Sequence, residues 1–112
     1  MASSTIPAPK AQEWEQICSA DSTNANTSLF TNKHIEDYDF IAWYLIEWQN
    51  NAVDGFMLVP KSVFKQYNTT GKSMGINAYN GGRQYAYLNY VNDTTVGVQL
   101  SAGHSVAVWG IK

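Results

Sequence analysis

One cysteine, Cys18, stands in this chain of 112 residues. A single thiol cannot close an intramolecular disulfide, and a zinc site built on cysteines is excluded. Its ordinary place is that of a small buried hydrophobe, in a chain that folds in a reducing compartment. Charge is scarce too. Only 14% of residues are Asp, Glu, Lys or Arg, against about a quarter in an average globular protein. The surface must therefore be covered largely by Ser, Thr, Asn, Gln and Tyr. Net charge is −2 and no Lys/Arg cluster is present, so nucleic acid finds no electrostatic footprint. The longest dense apolar run, residues 40–48, is far too short to span a bilayer, so no membrane insertion is expected. No low-complexity tract and no internal repeat is present.

Apolar residues make up 45% of the chain, enough for one globular domain with a core of its own. Residues 1–11 read as an extended leader: Pro7 and Pro9 oppose a helix, and the stretch lacks the apolar segment of a signal peptide. Residues 12–112 read as the single folded domain. Their last third sets the pattern. Tyr85, Tyr87, Leu88, Tyr90 and Val91 form one apolar run. Val96, Val98 and Leu100 alternate with Thr95, Gly97 and Gln99 in the next, and Val106, Val108 and Trp109 sit in a third. Asn80-Gly81-Gly82, Asn92-Asp93-Thr94 and Ala102-Gly103 punctuate them. Period-2 alternation between turn residues is the mark of antiparallel strands.

The earlier chain continues the theme. Residues 12–18 hold Trp14 and Ile17 and predict a first strand; residues 27–31 predict a second, followed by a turn at 32–34. Residues 38–48 are the most hydrophobic segment. Ile41, Tyr44, Leu45 and Trp48 fall at helical spacing, but Trp, Tyr, Phe and Ile favour a strand; the reading is a central strand buried on both faces, with a helix as the alternative. A hairpin connection through 49–51 and Asp54-Gly55 leads to a returning strand over 56–59, closed by Pro60. Residues 61–67 extend it after a kink, and 68–72 form a loop. The fold class is all-β: an antiparallel β-sandwich, jelly-roll-like, of about eight short strands.

Chemistry is thinly marked. His34 and His104 both fall in predicted turns, where a surface position is the ordinary outcome. Ser101 and Ser105 flank His104 without forming a recognised nucleophile arrangement, and no G-x-S-x-G occurs, so no catalytic residue is assigned. Glu36, Asp37 and Asp39 could offer oxygen ligands, but they lack the spacing of a calcium loop; no metal site and no cofactor is expected. Gly81-Gly82 is not a phosphate loop, because neither Lys-Ser/Thr nor a helix follows. The stretch from Asn77 to Tyr87 reads first as a hairpin tip and second as a contact loop. Tyr79, Asn80, Arg83 and Tyr85 set flat aromatic rings beside hydrogen-bonding groups, a mixture suited to sugars or protein epitopes. Asn92 and Asp93, on another turn, could add acceptors. The four tryptophans are read as core or subunit interface rather than as ligand platforms.

Several of these pieces together resemble the small β-sandwich domains at the tips of bacteriophage tail fibres and related receptor-binding proteins. The pieces are the I-P-A-P leader (Ile6 to Pro9) followed by Trp14, the central strand and the strand ending in Val59-Pro60, the late aromatic strand before T-V-G-V-Q-L (Thr95 to Leu100), and the closing V-A-V-W-G-I-K (Val106 to Lys112). The resemblance implies a non-enzymatic virion protein made in bacterial cytoplasm. It implies a homotrimer that contacts other virion proteins and binds a host cell-surface glycan or protein. A purely structural virion assembly protein and a soluble lectin are the alternatives; a glycan-cleaving enzyme stands behind both.

Overall fold

In a computed structural model, the residues described are 12–21, 26–47, 52–68, 73–79 and 83–112. The leader, Trp48, the connection at 49–51 and the predicted turn Asn80-Gly81-Gly82 lie outside them. Eight strands are present among the described residues: β1 (Trp14–Asp21), β2 (Asn26–Phe30), β3 (Phe40–Glu47), β4 (Val53–Pro60), β5 (Met74–Tyr79), β6 (Arg83–Asn92), β7 (Thr95–Leu100) and β8 (His104–Ile111). They form two four-stranded antiparallel sheets, with order β1-β8-β3-β4 in front and β2-β7-β6-β5 behind. The all-β sandwich expected from the alternation is the fold observed.

The order explains the rolled character. The first strand lies beside the last in one sheet, and the second beside the seventh in the other. Inside this wrap, β3–β4 is a hairpin of the front sheet and β5–β6–β7 a meander of the back sheet. The turn at Ala102-Gly103 carries the chain from the back sheet to the front. Gly103 adopts φ of 77° there, a conformation that L side chains rarely take.

The core lies between the sheets. From the front come Ile17, Ile41, Trp43, Leu45, Val59, Val106 and Val108; from the back, Ile76, Ala86, Leu88, Val96, Val98 and Leu100. Trp43 is fully buried, and its indole N–H donates to the Ala86 carbonyl of the opposite sheet at 3.2 Å. A β-bulge in β1 leaves Ile17 as the extra residue between Gln16 and Cys18, so that Ile17 and Cys18 both pack against the core. A second irregularity pairs Leu45 with Gly55 and Ile46 with Val53. Asp54 is the extra residue there, so Asp54-Gly55 belongs to β4 rather than to the predicted hairpin turn. At Gly55 the two sheets approach closely, since a Cβ on it would fall 2.2 Å from the Ile76 side chain.

Two short helical turns close one end of the sandwich. Residues 61–67 do not extend β4 as expected: α1 (Lys61–Phe64) turns the chain inward after Pro60. Phe64 is the reason. It is fully buried, 6.0 Å from the Trp43 ring and edge-on to Tyr90 at 6.2 Å, a burial that a straight continuation of the strand could not deliver. A 3-10 turn at Ile35–Asp37 buries Ile35 beside it.

Candidate functional site

The back sheet turns outward the residues that alternate with its core positions. On β6 these are Tyr85, Tyr87, Asn89 and Val91; on β5, Gly75 and Asn77; on β7, Thr95, Gly97 and Gln99. Tyr85 and Tyr87, two apart on one strand, stack with ring centroids 5.2 Å apart and planes 18° from parallel. Asn77 stands opposite Tyr85 and accepts a hydrogen bond from the Tyr87 hydroxyl. Gln99 is the partner of Tyr87 on the other side. Gly75 and Gly97 keep the face low. A Cβ at Gly97 would lie 2.2 Å from Asn89 Oδ1, so the Asn89 amide lies over bare backbone.

Tyr85 is also held from below. Its N–H donates to Ser101 Oγ at 3.0 Å, its carbonyl accepts from the Ser101 N–H at 3.0 Å, and the serine hydroxyl lies 3.3 Å from the same carbonyl. Ser101 thus extends the β6–β7 ladder one step past Leu100 with a side chain in place of a strand partner.

The six residues singled out in the sequence divide between the two ends of β6. Tyr79 and Arg83 are the last ladder pair of β5 and β6, and Tyr85 is two residues further in. Asn80 lies outside the described residues. Asn92 and Asp93 sit at the other end, about 23 Å away along a strand that rises about 3.3 Å per residue. Both serve the fold. Asn92 Oδ1 accepts the Thr94 N–H at 2.9 Å, an Asx turn that shapes the β6–β7 connection. Asp93 accepts the Glu36 N–H at 2.8 Å and pairs with His34, while its carbonyl accepts from Ile35. The Glu36 amide is the chief reason that the Asp93 carboxyl is held below its ordinary range; His34 adds to it. A single sugar ring cannot engage both sets.

Within the acidic patch, Glu36 is taken up by ion pairs. Glu36 meets Lys65 at 2.8 Å and Lys61 at 3.2 Å, and these ammonium groups, Lys65 first, hold its carboxyl low. No cluster of three ligating side chains occurs among the described residues.

His104 departs from expectation. It is not a surface turn residue but the first residue of β8, and it is buried. Its Nε2 lies 3.2 Å from Asp54 Oδ2, and its Nδ1 lies 2.9 Å from the Ala102 carbonyl and 3.3 Å from Ser101 Oγ. Serine, histidine and carboxylate are therefore in one chain of contacts, but the wiring is not that of a nucleophile. A carbonyl can only accept, so the Nδ1 that faces Ala102 donates and cannot take a proton from Ser101. Ser101 is itself buried, at 7% exposure, and its hydroxyl is engaged with Tyr85. The bulge at Asp54 and the turn after β7 are what bring these groups together; the turn at Ala102-Gly103 was legible in the sequence, the bulge was not.

The front sheet carries a different outer face. Between the core residues of β3 and β8 point Ala42, Tyr44, Ile46, Ala107, Trp109 and Ile111. The edge strands add Trp14, Gln16, Val53, Phe56 and Leu58. The rings of Trp14 and Phe56 stack at 6.4 Å, Tyr44 lies 6.0 Å from Phe56, and Trp109 lies 6.3 Å from Tyr44. Ala42 and Ile111 point outward beneath this layer and are buried. Yet Trp14, Phe56, Leu58 and Val53 remain 42–59% exposed. Beside them a hollow of about 590 Å³ opens between β1, β8 and β3, lined by Gln16, Asp21, Tyr44, Ile46, Ser105 and Trp109 among others. Sequence reading assigned the tryptophans to core or interface in general; Trp43 is core, whereas Trp14 and Trp109 belong to this face. Comparison with known proteins supplies no relative for this geometry: no protein-family model, no curated protein and no solved structure matches the chain.

Proposed function

We propose that the protein is a non-enzymatic recognition module that binds carbohydrate through the outer face of its back sheet. The observation that carries this reading is the stacked Tyr85–Tyr87 pair among the amides of Asn77, Asn89 and Gln99. A sugar ring offers C–H groups on its faces and hydroxyls at its rim. The first gain most from flat aromatic surface, and the second need partners that both donate and accept, which amides and phenols are. A face low in charge avoids the desolvation that charged groups would cost against a neutral ligand.

The Ser101–His104–Asp54 contacts support a binding protein over a hydrolase, because their hydrogen bonds tie strands together. The virion setting follows from the resemblance of the sequence: a tail-fibre or baseplate tip domain that meets a host cell-surface glycan. An assembly of several copies would present several such faces, and modest single-site affinity would then be raised by avidity.

The test is a glycan array followed by titration against the best-binding polysaccharide. Tyr85→Ala with Tyr87→Ala should weaken binding by about tenfold or more, near 1.4 kcal/mol, while the circular dichroism spectrum is kept. Unchanged binding in the double variant would remove the site. The front face, with Asp21 its one charged outward position, supports a second reading, a purely structural assembly subunit, for which the wild-type protein gives no array signal.

A further inference from the structure

We infer that the outer face of the front sheet is the seat of a second copy of this chain. Four features of the face lead there. Its apolar side chains are contiguous: Trp14, Tyr44, Phe56, Leu58 and Trp109 form one patch across all four strands, where a monomer scatters such residues singly. Of the outward positions of β1, β3, β4 and β8, only Asp21 carries a charge, and it stands at a corner beside Ser105. A face that meets its own copy must tolerate itself. Like charges would oppose each other across such an interface, and here the centre has none.

Shape points the same way. An isologous contact needs its projections and its hollow on one patch. The Trp14–Phe56 ridge and the hollow of about 590 Å³ beside Tyr44 and Trp109 share this face. Its size also fits. Strands of eight residues at about 3.3 Å, four of them about 4.8 Å apart, project to roughly 500 Å², and the accessible surface of the side chains standing on it exceeds that projection. About 800 Å² per partner makes a standard stable interface. The opposite sheet offers a smaller apolar surface: its outer face alternates tyrosine with amides and glycines, and Phe30 and Val91 are the large hydrophobics it leaves exposed, against Trp14, Val53, Phe56 and Leu58 in front. The inference holds whether or not that tyrosine face binds a glycan.

Light scattering behind size exclusion tests it. The wild-type chain should scatter as an assembly of at least twice its 12.5 kDa. Phe56→Glu with Leu58→Lys should reduce it to a single chain that still unfolds cooperatively. Both residues are about half exposed at 52% and 43%, so the fold of the single chain does not depend on them. Val53→Lys, at a position 59% exposed on the same face, is the milder second variant and should raise the dissociation constant about tenfold or more. Phe30→Glu is the control: Phe30 is 82% exposed on the other sheet, and its change should leave the mass unaltered. A wild-type protein that is monomeric at every concentration would overturn the inference, as would an assembly that survives the front-face variants or dissociates with Phe30→Glu.

Discussion

Cys18 shows how one residue is set by its surroundings. Alternation placed it near the first strand, and the bulge at Ile17 turns it toward the core. Burial pushes its thiol up to about 12, which cuts the thiolate at neutral pH about a thousandfold below that of an ordinary thiol. Alkylation of the native protein at neutral pH should therefore be slow. Mass spectrometry should show its rate rising with denaturant in step with unfolding; fast labelling of the folded chain would contradict the buried environment. Tyr38 is a second case. Its ring lies over Gly110, where a Cβ would come within 2.5 Å, and its hydroxyl donates to Glu15 at 2.7 Å. Burial first, and Glu15 second, raise the phenol above its ordinary value. In the sequence Gly110 was only part of a closing motif. The aromatic ring it makes room for comes from more than seventy residues upstream, and nothing local announces it.

At the scale of elements, the strands were legible and their ends were not. Alternation located β6, β7 and β8 because valine and tyrosine on one face and threonine, glycine and glutamine on the other mark a half-buried sheet. β3 was legible as a strand despite helical spacing, since aromatic and β-branched residues dominate it. The helical turn at α1 was missed because a four-residue helix leaves no period to read; only the burial of Phe64 accounts for it. Ser101 illustrates how elements are joined. Replacing it with alanine removes the acceptor that Ser101 Oγ offers the part-buried Tyr85 N–H, at a cost of about 1–3 kcal/mol. Denaturant titration of Ser101→Ala should show that loss. Glycan affinity should fall as well if the same hydrogen bonds position Tyr85 on the face proposed for recognition.

At the scale of the whole molecule, the two ends of the sandwich differ. One end holds Ser101, His104 and Asp54 beneath the start of β6. The other gathers the 3-10 turn, α1 and the carboxylates Glu15, Glu36 and Asp93, all held below their ordinary values. Tyr38 is the main cause for Glu15, Lys65 for Glu36 and the Glu36 amide for Asp93. A carboxyl whose folded value is depressed adds stability that is full above its unfolded value, about 3.9 for Asp and 4.3 for Glu, and is lost as pH falls through the folded one. The melting temperature should therefore hold from neutral pH down to about 5 and drop below about 4. Glu15→Gln should flatten part of that drop, whereas an unchanged acid profile would detach these contacts from stability.

What the sequence determined by itself is the class of fold and most of its strands. Side-chain period, β-branching and turn residues act within a few positions, and they are present in the string of residues. Tertiary structure alone decided the rest. Strand order set β1 against β8 and β2 against β7, the bulges brought Asp54 to His104 and Ile17 to the core, and the course of β6 separated Asn92 and Asp93 from Tyr85. The aromatic outer face of the front sheet belongs here as well. An apolar strand says that both its faces are covered, but not by what: core, neighbouring rings or another molecule all bury apolar surface alike, because the hydrophobic effect has no direction.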